Sequence, residues 1–160
     1  MTRWLLLLFL LAAGQASAAA LCGSGEHASS PQDQALLVFA RQVGIKDAET
    51  FRAVATYVHA HHGSLPRCYL RKRAAEALGW RPGADLWQVA PGAAIGGDRF
   101  ANREGRLPAL WNGRYFEADL DYAGGHRGVK RLVFVRGAEA WLLFVSVDHE
   151  RNFTAFAPAR

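Results

Sequence analysis

The sequence predicts an α+β protein whose N-terminal helices pack on one face of a C-terminal antiparallel β-sheet. Two observations support this class. In the first part of the chain, apolar residues recur at spacings of three and four behind residues that can cap helix N-termini. In the later part, short runs rich in β-branched and aromatic residues lie between glycines. Helices followed by strands in this way are typical of α+β domains.

Two helices come first. One is predicted over residues 31–43, because Ser30 can cap it and Pro31 suits the first helical position. The next follows Asp47, whose side chain can accept a hydrogen bond from the first turn. The apolar stripe of this second helix consists of Phe51, Val54, Tyr57 and Val58.

A third helix and three strands follow. The helix is predicted over residues 71–78 and ends at Gly79, since glycine favours the conformation that closes a helix. The strands are predicted over residues 115–120, 132–135 and 141–147.

One glycine pair and three tryptophans are further candidates for ligand contacts. The pair Gly96 and Gly97 could belong to a phosphate-binding loop, but no helix signal follows it, so a sheet bend or close backbone packing is predicted. Trp80 and Trp141 have apolar neighbours and are predicted core residues. Trp111 lies in a loop flanked by Pro and Gly, and its contact with a nucleotide is one open interpretation.

The N-terminus is typical of a secretory signal peptide. Arg3 precedes a short apolar stretch, and Ala-Ser-Ala at positions 16–18 offers a cleavage site. The stretch is too short to cross a bilayer. We therefore expect a signal peptide over residues 1–18, an extension with one helix over 19–46, and the main domain over 47–160. The mature protein is expected to be secreted, with no membrane attachment.

The net charge favours a polyanionic partner. The chain carries 19 Lys and Arg against 14 Asp and Glu, a formal charge of +5. Removing the leader removes only Arg3 and leaves 18 against 14, or +4. A basic surface attracts nucleic acid, although charge alone fits a membrane surface equally well.

The two cysteines, Cys22 and Cys68, both follow the leader. In an oxidising compartment they could pair and tether the extension to the main domain, a link worth at most about 4 kcal/mol. Lipidation of Cys22 is a weaker interpretation, because the bulky Leu21 precedes it.

Three histidines, His59, His61 and His62, invite a metal hypothesis. His59 and His62 would lie one helical turn apart, which is a usable ligand spacing. No carboxylate or cysteine is spaced nearby as a further ligand, so we expect neither a metal site nor another cofactor. His62 lies near a helix end instead, where the helix dipole favours a protonated imidazole.

One region concentrates groups suited to acid–base chemistry. It comprises IGGDRFANREGRLP over residues 95–108, EAD over 117–119 and DH over 148–149. A Glu and a His can exchange protons with a substrate near neutral pH, since their protonation states differ there. Fixed cations stabilise charge that develops on phosphorus oxygens; the candidates are Arg103, Arg127, Arg131 and Lys72. These groups suit cleavage of a phosphodiester whose nucleophile is already in the substrate, as in RNA with its 2'-hydroxyl.

Residues 50–156 resemble the barnase-like family of secreted bacterial guanyl-preferring ribonucleases. The matching segments are LPRCYLRKRAAEALGW over 65–80, VAPGAAIGGDRFANREGRLP over 89–108, GRYFEADLDY over 113–122 and the DH pair. The resemblance implies a barnase-like fold, an RNA substrate, a monomeric enzyme and an acidic barstar-like inhibitor as a further partner.

The resemblance also implies roles for individual residues. Glu117 would be the general base and His149 the general acid of a reaction that passes through a 2',3'-cyclic phosphate. Lys72, Arg127 and Arg131 would bind the phosphate. Asp119 would orient the two arginines as their buried anionic partner.

The guanine-recognition loop of the family matches residues 101–104. Asn102, Arg103 and Glu104 match the part of this loop whose backbone N–H groups would meet the base carbonyl, and the Glu104 carboxylate would accept from N1 and the exocyclic amine. Ala101 stands where the family often has Ser, a change of little consequence for a backbone contact. Asp98 would support the site from behind.

Two departures from the family affect the expected function. Glu150 stands where a Tyr commonly stacks on the base, and an acid there would repel an incoming phosphodiester. The segment between Arg131 and His149 is also longer, which predicts a longer hairpin turn over residues 136–139. Two functions stay open: a metal-independent endoribonuclease that cleaves single-stranded RNA 3' to guanosine, and a secreted RNA-binding or antibacterial effector with weakened catalysis.

Overall fold

The computed structural model describes residues 30–110, 114–137 and 140–156. Within these ranges the chain forms three α-helices, a 3-10 turn at Leu86–Gln88 and six β-strands. The helices are α1 (Pro31–Gln42), α2 (Ala48–Ala60) and α3 (Lys72–Ala77). The strands are β1 (Tyr69–Leu70), β2 (Ala94–Phe100), β3 (Tyr115–Asp119), β4 (Arg131–Val135), β5 (Leu143–Ser146) and β6 (Thr154–Phe156).

Capping fixes the starts of the first two helices where the sequence predicts them. The Ser30 side chain accepts from the Asp33 backbone N–H, and the Asp33 carboxylate accepts from the Ser30 backbone N–H in return. Asp47 accepts from the Thr50 backbone N–H at 2.9 Å. Both cap predictions are therefore confirmed. The third helix is one residue shorter at each end than predicted.

The strands form a single sheet in the order β1-β2-β3-β4-β5-β6. The β1 and β2 pair is parallel and the other neighbours are antiparallel. The three predicted strands correspond to β3, β4 and β5. The sequence prediction missed β1, β2 and β6, because two of them have only two or three residues and β2 contains two glycines, which are poor strand formers.

The glycine pair in β2 marks an irregularity in the sheet, as predicted. The register between β2 and β3 shifts between Gly96 and Asp98. Gly97 has a φ of 90°, which glycine adopts without strain. A side chain at Gly96 would collide with Tyr69, so the backbone passes close to β1 here. The pair therefore bends the sheet and allows close packing.

The main core lies between α1, α2 and one face of the sheet. In β4 the side chains alternate: Leu132 and Phe134 pack towards the helices, while Val133 and Val135 belong to a smaller core on the other face. The helices thus cover one face of the sheet, which confirms the predicted α+β architecture. A third apolar cluster underlies α3 and includes Trp80.

Helix α1 is part of the main core although it precedes the segment that resembles ribonucleases. Leu36, Leu37 and Ala40 are almost fully buried in it. A buried ion pair at 3.3 Å also joins Asp33 of α1 to Arg52 of α2. The division of the chain at residue 46 therefore follows sequence resemblance, while the packing is continuous across it.

Several predictions concern residues that the structure does not describe. The signal peptide, Cys22 and Trp111 lie outside the described residues. Cys68 is buried in the main core and is disulfide-bonded. Pairing with Cys22 stays a prediction, as does the form of the hairpin turn at 136–139, of which only the first two residues are described. In the described ranges no helix has the length and apolar character needed to cross a bilayer.

Two of the three histidines stack on neighbouring aromatic rings. The His59 ring stacks on Trp141 with centroids 3.9 Å apart, and the His61 ring stacks on Tyr57 at 3.7 Å. Burial, with the nearby His62, lowers the pKa of His59. Among the described residues, His, Cys, Asp and Glu nowhere form a group of three that could hold a metal ion. Trp80 is buried as predicted, and Trp141 packs half-buried against the main core.

Gly96→Ala is expected to destabilise the fold by about 1 to 3 kcal/mol, because an overpacked site must shift its neighbours. The added Cβ would lie 2.6 Å from a Tyr69 ring carbon and 2.9 Å from a Leu65 methyl group. Urea unfolding measures the loss. Gly128→Ala is the matched control, since a Cβ there meets open space, and equal stability of the two variants would contradict the packing argument.

Candidate active site

Strand β3 places two carboxylates on the sheet face that the helices leave open. Tyr115 packs in the core of that face, whereas Ala118 packs in the main core under the helices. Because side chains alternate along a strand, Glu117 and Asp119 share the face of Tyr115. In the register, Glu117 lies opposite Asp98 of β2 and Asp119 lies opposite Arg131 of β4.

Glu117 is paired with Lys72, the first residue of α3. Lys72 Nζ lies 3.0 Å from Glu117 Oε1, and the Glu117 side chain is only 12% exposed. The Lys72 backbone N–H also donates to Asp98 Oδ2 at 2.9 Å. Asp98 therefore satisfies a free N–H at the start of α3, where Arg71 provides no side-chain cap. A carboxylate from β2 thus orients the lysine that faces the carboxylate on β3.

Asp119 is a buried carboxylate that binds two arginines. Arg127 donates to both of its oxygens at 2.6 Å, and Arg131 Nε lies 3.3 Å from Oδ1. The hydrogen bond to Asp119 raises the pKa of Arg127, although burial opposes it. Arg131 also donates through Nη1 to the carbonyls of Gly128 and Lys130. Both guanidiniums are therefore held in fixed positions beside β3.

The loop after β2 is closed by Asn102. Its side chain donates to the Leu107 carbonyl at 2.9 Å and accepts from the Leu107 N–H at 3.0 Å. Asn102 has a φ of 45°, a left-handed conformation that Asn adopts more readily than most residues. Arg103 and Glu104 at the loop tip are exposed. Glu104 forms an ion pair with Arg106 at 2.5 Å.

His149 lies in a tight turn between β5 and β6. The Asp148 carboxylate accepts hydrogen bonds from the Ser146 hydroxyl and from Asn152. These bonds, chiefly those from Asn152, lower the pKa of Asp148 to about 2. His149 and Glu150 have φ values of 63° and 64°. The strained turn points to function, since left-handed residues in succession persist only where surrounding contacts hold them. The His149 side chain is exposed to solvent.

These elements surround one open cleft with a volume of about 460 Å³. Seven predicted site residues line it: Lys72, Ala101, Asn102, Arg103, Glu104, Glu117 and His149. The other four predicted residues, Asp98, Asp119, Arg127 and Arg131, support the cleft from behind or beside β3. The carboxylate and the imidazole therefore meet in one solvent-accessible space.

Sequence reasoning missed part of the lining. Arg99, Phe100 and Arg106 also line the cleft. The alternation of β2 could have identified Phe100, had that strand been recognised. Arg106 donates to the Glu150 carbonyl at 2.7 Å, a contact between distant segments that no local signal reveals.

The fold and the cleft define a class of protein with a polar, cation-rich site on the open face of an antiparallel sheet. A family model described as "Ribonuclease" matches residues 51–157. The chain is 43% identical over 106 residues to ribonucleases from Bacillus intermedius and Bacillus pumilus, covering 66% of this chain and 63% of each relative. It is also 43% identical over 105 residues to a ribonuclease from Heyndrickxia coagulans, covering 65% of this chain and 93% of that relative. The chain belongs to this ribonuclease family.

Asp119→Asn is expected to destabilise the protein by about 3 kcal/mol, because it leaves two partly buried arginines without their anionic partner. Urea unfolding at neutral pH measures the change. Glu104→Gln removes an exposed ion pair and serves as the control, with an expected effect below about 1 kcal/mol. A similarly small effect of Asp119→Asn would show that Asp119 is not needed to hold the arginines.

Proposed function

We propose that this protein is a secreted, metal-independent endoribonuclease that cleaves single-stranded RNA 3' to guanosine through a 2',3'-cyclic phosphate. The observation that carries the proposal is the shared cleft of Glu117 and His149, with Lys72 bound to the carboxylate. Membership of the ribonuclease family supports the same chemistry.

In the first step Glu117 takes the proton from the ribose 2'-hydroxyl. The 2'-oxygen attacks phosphorus, the bond to the 5'-oxygen of the next nucleotide breaks, and His149 protonates that leaving oxygen. In the second step His149 takes a proton from water, which opens the cyclic phosphate, and Glu117 returns its proton to the 2'-oxygen. The two groups regain their starting protonation states, so neither step consumes a cofactor.

The cations stabilise the charge that develops on the phosphate oxygens. Lys72 lies beside the general base, within reach of a phosphate bound there. Arg127 and Arg131 are held by Asp119, so little reorganisation is needed when the phosphate becomes more negative. Such fixed positive groups lower the barrier more than mobile surface cations would.

Guanine recognition is assigned to the loop over residues 101–104. The bonds from Asn102 to Leu107 hold the loop in one conformation. Backbone N–H groups of Asn102 and Arg103 would donate to the base carbonyl, and the Glu104 carboxylate would accept from the N–H groups on the base edge. Only guanine offers that combination of one acceptor and adjacent donors on the same edge.

Secretion and an acidic protein inhibitor complete the proposal. The leader over residues 1–18 would direct export, which separates the enzyme from the RNA of its own cell. A protein of opposite charge would bind the cationic cleft rapidly, since complementary charge speeds association. The enzyme is proposed to act as a monomer.

Glu150 favours a second candidate function. Its carboxylate lies 3.8 Å from Arg131 Nε, at the edge of the cleft where RNA would bind. An anion there would repel the scissile phosphodiester and slow turnover, which favours a secreted RNA-binding or antibacterial effector with weakened catalysis. The two functions differ in whether the biological effect requires cleavage.

Glu117→Ala and His149→Ala are each expected to lower kcat/KM for RNA by about a thousandfold, because each removes one partner in proton transfer. RNA binding should be retained. Cleavage of a defined oligoribonucleotide in EDTA, with identification of the product termini, measures the effect and should show cyclic phosphate on guanosine. Glu76→Ala and His61→Ala are the controls, since both side chains are exposed outside the cleft.

Full activity of either cleft variant would refute the mechanism. Loss of cleavage with an unchanged antibacterial effect would favour the effector function. Activity that EDTA abolishes would refute metal independence.

Glu104→Gln is expected to lower the preference for guanosine by at least about tenfold, because an uncharged amide is a weaker acceptor for the base-edge N–H groups and presents a donor in place of one acceptor. The measurement compares kcat/KM for otherwise identical substrates with guanosine or adenosine before the scissile bond. Arg106→Ala is the comparison, because it removes the same ion pair, together with the bond to the Glu150 carbonyl, and leaves the Glu104 carboxylate in place. An unchanged preference in Glu104→Gln would assign recognition to another group.

A further inference from the structure

Glu150 is a second carboxylate in the candidate active site, and the two-step mechanism gives it no task. It lines the same cleft as Glu117 and His149, and its side chain is 30% exposed. Its nearest cation is Arg131, whose Nε lies 3.8 Å from Glu150 Oε1. The guanidinium that would bind a phosphate is therefore already paired with a second anion of the protein, in addition to Asp119.

The backbone around Glu150 is held on both sides. Its N–H donates to the Ser146 hydroxyl at 2.9 Å, and its carbonyl accepts from Arg106 at 2.7 Å. With a φ of 64°, the residue occupies a conformation that only such contacts maintain. The carboxylate is consequently anchored at the cleft and does not extend freely into solvent.

Four charged or titratable groups face the Glu150 carboxylate. Glu117 repels it, whereas Arg131, His149 and Lys72 attract it. Burial and the repulsion by Glu117 prevail, so the pKa of Glu150 is raised above its ordinary value. An acid with a raised pKa takes up its proton at a higher pH. Glu150 therefore becomes uncharged at a higher pH than an exposed glutamate does.

We propose that the Glu150 carboxylate acts as a built-in competitor of the substrate phosphate for Arg131, so that the cleft binds phosphodiester anions weakly when Glu150 is ionised and more tightly when it is protonated. Glu150 thus sets the affinity of the cleft for anions. The inference rests on the proposed function only in taking the anion to be an RNA phosphate. The competition itself concerns any tetrahedral oxyanion at this place.

Sulfate tests the competition without catalysis, because its charge does not change between pH 4 and pH 8. Its binding can be followed on the NMR signals of the His149 ring, in the unsubstituted protein and in Glu150→Gln. At pH 8 the variant is expected to bind sulfate about tenfold more tightly, since it lacks one neighbouring negative charge. As the pH falls towards 4, the ratio of the two affinities should approach one, because Glu150 of the unsubstituted protein becomes protonated while Gln at that position carries no charge at any pH.

Glu76→Gln is the matched control for net charge. Glu76 is exposed on α3 and does not line the cleft, so its loss should leave sulfate affinity nearly unchanged. Equal affinities of the unsubstituted protein and Glu150→Gln at pH 8 would overturn the proposal. A gain that persists unchanged at pH 4 would also overturn it, because a competing charge must disappear on protonation.

Cleavage kinetics separate this inference from the proposed function. With an RNA substrate at pH 8, Glu150→Gln should lower KM more than it changes kcat, since the competition precedes the chemical step. A tighter sulfate site in a protein that does not cleave RNA would refute the nuclease and retain the competition. Normal cleavage with identical sulfate binding in both proteins would do the reverse.

Discussion

The buried carboxylate of Asp119 is the constraint on which the site depends. It is 3% exposed and binds both Arg127 and Arg131, which approach it from the β3–β4 connection and from β4. A buried anion is tolerable only when cations and hydrogen bonds compensate for its lost hydration. The arginines are therefore required by the fold, and the same contact holds them in place beside the cleft. Stability and site geometry share one interaction here.

The open face of the sheet divides its residues between packing and chemistry. Tyr115, Val133 and Phe144 form a small apolar core there, and Glu117 continues the same face towards the cleft. The rigid strands hold the catalytic candidate Glu117, while Asn102 and His149 lie in loops fixed by their own hydrogen bonds and turns. Mounting polar groups on a packed scaffold keeps them in place before a substrate arrives, and preorganised charges of this kind contribute most to catalysis.

Several cations in and beside the cleft are paired with carboxylates, so a count of basic residues overstates the positive charge there. Lys72 is paired with Glu117, Arg106 with Glu104, and Arg131 lies near Glu150 as well as Asp119. Each carboxylate lowers the attraction for a phosphate and at the same time positions a cation for it. The net charge of +5 thus explains why an anion approaches the protein but not where it binds.

The sequence alone determined the parts of this protein that depend on near neighbours. Ser30 and Asp47 predicted two helix starts, and the composition of residues 115–120 predicted a strand there, because capping and strand propensity act within a few residues. Family motifs further named seven of the residues that line the cleft. Only the tertiary structure decided that Asp98 caps α3 across the sheet, that Arg106 holds the Glu150 backbone and that Glu150 approaches Arg131. These contacts join segments far apart in the chain, so they depend on strand register and turn geometry, which no local pattern specifies.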